Sequence, residues 1–229
     1  MRYALAALAA ALLATAARAE SPRWGSFELQ VGTYYPDLDA EFADTTTKPY
    51  ADAFGAHGGW MFRAGVSKSL FTSFGSLEAG VQSGYFQKSG KGRFVKNNAE
   101  SSDDTALKII PMSVTLTYRF DMLAERFRIP LAPYARVGIE RYAWWVTDGS
   151  GSKVIKGATN GWSVAGGLAL LLDVFDPGLA REMDADSGVN HTYLFAEARK
   201  TTIDDFGSSS SWDLSEKNVA YSGGLLFVF

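Results

Sequence analysis

The chain has 229 residues, no cysteine and a net charge of −3; 47% of its residues are hydrophobic, 14% are aromatic and 23 are glycine. The absence of Cys excludes disulfides, lipoprotein acylation and thiolate metal sites, and an acidic chain with no basic cluster argues against nucleic acid. Past the first residues, no segment reaches the roughly 18 continuous apolar residues of a membrane helix.

The start reads as a secretory signal peptide. Arg2 supplies a short basic region, residues 3–14 form an apolar run too short to span a bilayer, and Ala17-Arg18-Ala19 is a small-residue cleavage site. Cleavage after Ala19 leaves one exported domain, 20–229.

Period-two alternation of β-forming residues then marks one strand after another. Strand one, 24–35, sets Phe27, Leu29 and Val31 against Glu28, Gln30 and Gly32. A polar loop, 36–56, leads to strand two, 59–68, where Trp60, Phe62 and Val66 oppose Met61, Arg63 and Gly65. Strand three, 77–85, sets Leu77, Val81 and Tyr85 against Glu78 and Gln82, and a second polar loop follows over 88–104. Strand four, 107–120, alternates most cleanly, with Met112, Val114 and Leu116 opposing Ser113, Thr115, Thr117 and Arg119. The connection 121–133 holds a helical turn that Pro130 ends.

Strand five, 134–146, sets Val137, Ile139, Arg141 and Trp145 against Arg136, Glu140 and Tyr142. After a third polar loop, 147–160, strand six opposes Trp162, Val164 and Leu168 to Ser163 and Ala165. Residues 176–183 read as a short helix with Pro177 at its first position. Strand seven, 193–199, sets Leu194 and Ala196 against Glu197 and Arg199, and a Ser-rich loop, 201–216, follows it. The closing strand, 219–229, carries Tyr221, Leu225, Phe227 and Phe229 on its more apolar face.

Eight strands of about ten residues predict an all-β fold: a closed antiparallel eight-stranded transmembrane up-and-down β-barrel. An even strand count puts both termini on the periplasmic side and the long loops outside. One face of the strands is apolar, with Arg141 and Lys200 as exceptions near the outer ends, where long side chains snorkel. Aromatic residues fall at strand ends: Tyr35, Trp60, Tyr85, Trp145 and Trp162 outward, and Phe27, Tyr118, Phe120, Phe227 and Phe229 inward. The other face collects four acids, Glu28, Glu78, Glu140 and Glu197, and four bases, Arg63, Arg119, Arg136 and Arg199. An eight-stranded lumen is only wide enough for side chains to fill, and buried charges there must pair. The balanced set predicts a plugged lumen.

On the closing strand, the stretch 129–134 (Ile-Pro-Leu-Ala-Pro-Tyr) and the hairpin rhythm, the chain resembles the small eight-stranded outer-membrane proteins of the OmpX, OmpW and OmpA transmembrane type. It is most similar to myxobacterial-type outer-membrane barrels of unassigned function. The resemblance implies a Gram-negative outer membrane, with Tyr221, Leu225, Phe227 and Phe229 as a C-terminal signal for the barrel-assembly machinery. An OmpW-type, porin-like protein implies passage of small apolar molecules through a hydrophobic lumen; the charged lumen departs from that.

Two functional classes follow. The favoured one is a structural or surface-interaction barrel, monomeric, whose partners are outer-membrane lipid and lipopolysaccharide, with Arg141 and Lys200 contacting lipopolysaccharide phosphates. The alternative is a passive transporter or channel for small molecules. Enzymatic chemistry finds no support: of the two histidines, His191 lies at the periplasmic start of strand seven and His57 lies on the outer rim without an evident nucleophile. Asp184-Ala185-Asp186-Ser187-Gly188 lacks the remaining acids of a calcium loop, and Asp37, Asp39 and Glu41 read as solvated loop acids. No metal and no cofactor are expected.

Overall fold

The computed structural model describes residues 21–42, 46–93, 100–147 and 154–229; the expected signal segment, 1–19, lies outside them. Eight strands follow in order: β1 (Gly25–Tyr34), β2 (Gly59–Phe71), β3 (Ser76–Arg93), β4 (Glu100–Arg119), β5 (Leu131–Thr147), β6 (Val154–Leu171), β7 (His191–Thr202) and β8 (Ala220–Val228). Every neighbouring pair is antiparallel, and β8 pairs with β1 to close the barrel. Around the closed part no strand is left at a sheet edge, which is the condition a strand structure must meet where water cannot satisfy the backbone.

Register sets the shape. From Phe27, the hydrogen-bonded row passes through Val66, Val81, Val114, Ile139 and Trp162 to Thr202 on β7. In the other direction Phe27 pairs with Phe227, which pairs with Thr192, also on β7. The two tracks meet ten residues apart, at Thr202 and Thr192, and this shear tilts the strands by roughly 35–45° to the barrel axis.

Burial alternates as the residue pattern requires. On β1, Ser26, Glu28, Gln30 and Tyr34 are buried while Leu29, Val31 and Thr33 face out. The exterior is apolar: Val114 is 64% exposed, Ile139 60% and Phe62 59%. On β6, Gly167 leaves the space that the Tyr134 ring fills, since a Cβ there would lie 2.5 Å from it.

The structure departs from the sequence reading at the polar loops. Much of 88–104 and 147–160 is strand, because the β3–β4 and β5–β6 ladders continue past the apolar zone to Arg93–Glu100 and Thr147–Val154. Alternating apolar residues are needed only where one face meets a non-aqueous layer; beyond it, backbone pairing holds a hairpin of polar residues. The described part of the first loop holds a 3-10 turn (Leu38–Phe42) and α1 (Pro49–Phe54). Asp39, read as solvated, is buried, and its carboxylate accepts from Tyr50 N (2.7 Å) and Ala51 N (3.1 Å), satisfying the first donors of α1. The expected helical turn in 121–133 is α2 (Met122–Phe127). The helix begun by Pro177 is α3 (Pro177–Ser187), with Asp176 capping Gly178 N and Leu179 N and Gly188 ending it at φ 72°.

Candidate functional site

The eight predicted lumen charges are all buried, and the barrel brings them into contact. Arg136 reaches Glu28 at 2.6 Å and Glu197 at 3.2 Å, and its Nε donates to Thr117 Oγ1 at 2.9 Å. Glu197 also takes Arg199 (2.9 Å), Arg199 takes Glu140 (3.4 Å), and Glu140 takes Arg63 (3.4 Å). Six of the eight charges thus form one chain of ion pairs across the lumen. The other two, Arg119 and Glu78, pair at 2.8 Å nearer the turn end of the barrel, where Arg119 also faces Asp121 at 3.6 Å.

Neutral groups complete the layer. Gln82 donates to Glu28 and accepts from Arg199 at 3.3 Å; Tyr142 OH accepts from Arg63 at 2.6 Å; Ser163 and Ser26 donate to Glu140 and Glu78 at 2.7 Å each. These polar partners sit on the lumen parity of their strands, so alternation alone marks them as candidates. Without such bonds, burying eight charges would cost several kcal/mol each.

One member had no signal in the sequence. Glu216, in the last loop, is buried at the loop end of the lumen, and its Oε2 has no hydrogen-bond partner. Burial pushes its carboxyl up to about 7; Arg63 and Arg199 pull it back, and Glu140 adds to the rise. A cavity of about 20 Å³ lies between Gln30, Arg63, Arg199, Glu216 and Ser222, room for a single water. The loop that carries Glu216 is stapled down: Glu216 N donates to Thr201 O (3.2 Å), Lys217 N to Tyr35 O (2.9 Å), and Tyr34 OH to Leu214 O (2.6 Å).

Above this layer an apolar cluster fills the loop end. Leu38 and Tyr50 come from the first loop and Leu214 from the last, and they pack on Met61, Phe86 and Tyr142 of the strands. Trp212 stacks on Trp144 at 3.9 Å between ring centres, 7° from parallel.

Arg141 and Lys200 both lie on the exterior parity. Arg141 is exposed and donates to Asn160 Oδ1 at 2.9 Å; Asn160 in turn donates to Asp205 Oδ1 at 2.6 Å. The Lys200 ammonium donates to the backbone carbonyl of Glu216 and lies 3.5 Å from that of Lys217. They are not the only exterior cations: Lys68 and Lys108 share that parity, which a reading centred on the apolar positions overlooks. On the closing strand, Tyr221 is 66% exposed and Leu225 also faces out. Phe227 stacks with Phe27 at 6.3 Å and Phe229 lies 5.7 Å from Trp24.

The two histidines make no nucleophile–base pair among the described residues. His191 Nδ1 lies 2.7 Å from Asp173 and its Nε2 lies 2.8 Å from Arg23, so both ring nitrogens are engaged. Asp184 and Asp186 belong to α3 and do not form a loop, and Glu41 accepts from Asp213 N.

No family model matches the chain, and no curated protein matches it. Among solved structures, it is similar to Ail, the attachment invasion locus protein of Yersinia pestis, in complex with the heparin analogue sucrose octasulfate: 10% identity over 90% of this chain and 99% of that one, TM-score 0.44. The N-terminal β-barrel domain of Pseudomonas aeruginosa OprF gives 10% identity over 91% and 100%, TM-score 0.44. A major outer membrane protein from Thermus thermophilus gives 12% identity over 90% and 99%, TM-score 0.43. The architecture described above rests on this chain's own register.

Proposed function

We propose that this chain is an outer-membrane β-barrel with a structural or surface-interaction role, its lumen closed to ions by the paired Glu and Arg side chains. The observation that carries the reading is the chain of contacts Arg63–Glu140–Arg199–Glu197–Arg136–Glu28, which crosses the lumen. The apolar exterior supports membrane insertion, because a water-soluble barrel keeps its apolar residues inside. Loops from both ends of the sequence cap the mouth, and the hairpins that project past it offer the surface on which such a scaffold meets other molecules.

In this reading the expected signal 1–19 directs export, Tyr221, Leu225, Phe227 and Phe229 are read by the barrel-assembly machinery, and the barrel works as a monomer. Arg141, and Lys200 where it is freed from the loop carbonyls, meet lipopolysaccharide phosphates at the outer leaflet. Passive transport is the second reading, and it requires a path that the ion-pair layer blocks or a lateral gap; the sheet closes around all eight strands, and the β3–β4 ladder, which skips Gly84–Tyr85 opposite Ile110–Pro111, resumes in the same register at Phe86–Ile109.

Fractionation and electrophoresis test the location. The protein is expected in the outer-membrane fraction, with a heat-modifiable band in SDS; recovery as a detergent-free periplasmic protein would overturn it. Planar-bilayer recording tests the closed lumen, and a stable open conductance would favour transport.

A further inference from the structure

The pairing of β4, β5 and β6 places Gln87, Lys108, Trp145 and Lys156 in one row on the exterior of the projecting hairpins. Lys156 falls in a stretch expected to be loop, so only the register brings it beside Trp145. Two strand spacings separate Lys108 from Lys156, roughly 10 Å, with the indole between them. Lys156 and Gln87 are exposed, and Lys108 and Trp145 are half-buried. Neither ammonium has an ion-pair or hydrogen-bond partner among the described residues. The acid next along that face of β4, Asp104, is taken by Lys91 at 2.5 Å. The Trp145 ring makes no aromatic pair among the described residues, unlike its neighbour Trp144, which turns inward onto Trp212.

Below the row, four residues back along β5 or roughly 13 Å, stands Arg141. It borders an apolar groove of about 600 Å³ in the exterior wall, whose floor is kept low by Ala64 and Ser83 between the larger Val66, Val81, Met112 and Val114. An apolar groove, a cation at its outer end and an aromatic plate flanked by two free cations beyond it lie on one side of the barrel. This order matches a molecule with an acyl chain, a charged headgroup and a phosphorylated sugar.

We propose that Lys108, Trp145 and Lys156 bind a phosphorylated sugar of an outer-leaflet glycolipid, its ring on the indole and its phosphates on the two lysines. The proposal rests on the outer-membrane reading and adds to it a second, more outward level of recognition beyond Arg141. A sugar ring presents an apolar CH face to a π-surface, and ammonium groups attract phosphate most where bulk water is partly displaced. Exposed charge contacts of this kind weaken with salt.

The test uses the full mature chain, refolded in detergent, with purified rough-type lipopolysaccharide and the same material after phosphatase treatment. Wild type is expected to bind the phosphorylated form at least tenfold more tightly than the treated form, with the difference shrinking as salt rises. K108E/K156E should lose that difference, and K68E, a single Lys→Glu replacement at the other end of the exterior, should keep it. K108Q/K156Q serves if the glutamate pair lacks the heat-modifiable band of a folded barrel. W145A should weaken binding of both forms alike. Equal binding of the two forms by wild type, or full retention of the difference in the folded lysine variants, would overturn the proposal. Because binding is measured in detergent, failure of the outer-membrane reading is seen separately, as soluble fractionation in cells.

Discussion

Arg136 on β5 and Glu28 on β1 meet across the lumen at 2.6 Å, although 108 residues separate them in sequence. The pair ties the first strand to the middle of the chain, and Arg136 holds Glu197 on β7 with its second terminal nitrogen. Three strands that share no ladder are thereby fixed through one guanidinium.

Arg136→Leu leaves Glu28 without an ionic partner and Glu197 with Arg199 alone. Removing one member of a buried pair costs about 3–5 kcal/mol. The urea midpoint of the folded barrel in lipid vesicles should fall accordingly, and brief conductance events should appear in planar bilayers. An unchanged midpoint would mean that the layer is hydrated and the pair contributes little.

Glu216 gives the barrel a pH dependence near neutrality. Its folded carboxyl titrates at about 7 against an ordinary 4.5, so the folded state holds a proton that the unfolded chain releases. Stability from this group is fully present below about pH 4.5 and is lost as pH rises through 7, by about 3 kcal/mol at most. The four Glu and four Arg of the strands already balance, so ionised Glu216 is a surplus charge. Unfolding midpoints at pH 5 and pH 8 should differ in wild type and converge in Glu216→Gln; a wild type with no such difference contradicts this.

Trp212 holds the last loop by stacking on Trp144, whose Nε1 donates to Thr159 Oγ1 at 3.3 Å. Trp212→Ala should abolish the exciton couplet in circular dichroism and speed proteolysis within 204–216. The heat-modifiable band should persist, because the strand ladder does not involve this contact.

Phe229 closes the β1–β8 seam: its carbonyl accepts from Trp24 N (2.6 Å) and Gly25 N (3.2 Å), and its N–H donates to Gly25 O (2.9 Å). All of these are backbone bonds, so Phe229→Ser retains them. The variant should refold in detergent nearly as well as wild type and yet give much less folded barrel in cells, as expected if the ring is read during assembly. Equal loss in both settings would assign the ring to stability instead.

The barrel and its two faces were legible in the residues because alternation is a local property. Glu28, Arg63, Glu140 and Arg199 each announce their side by their neighbours at two-residue spacing, and a closed lumen of eight strands forces such charges together. What alternation cannot say is which charge meets which. Arg136 with Glu28, and Arg119 with Glu78, follow from the shear that sets the height of each strand against the next. The length of β3–β6 was likewise hidden, since strand beyond the apolar zone needs no apolar face and reads as loop. Glu216 and the Lys108–Trp145–Lys156 row depend on contacts between segments far apart in sequence, one by a loop folding back over the mouth and the other by three strands in register. Within the apolar zone, sequence alone determined which side of the wall each side chain takes, because that depends on the two bonds around each Cα; only tertiary structure decided the partners, because those depend on where the closed sheet brings distant strands level.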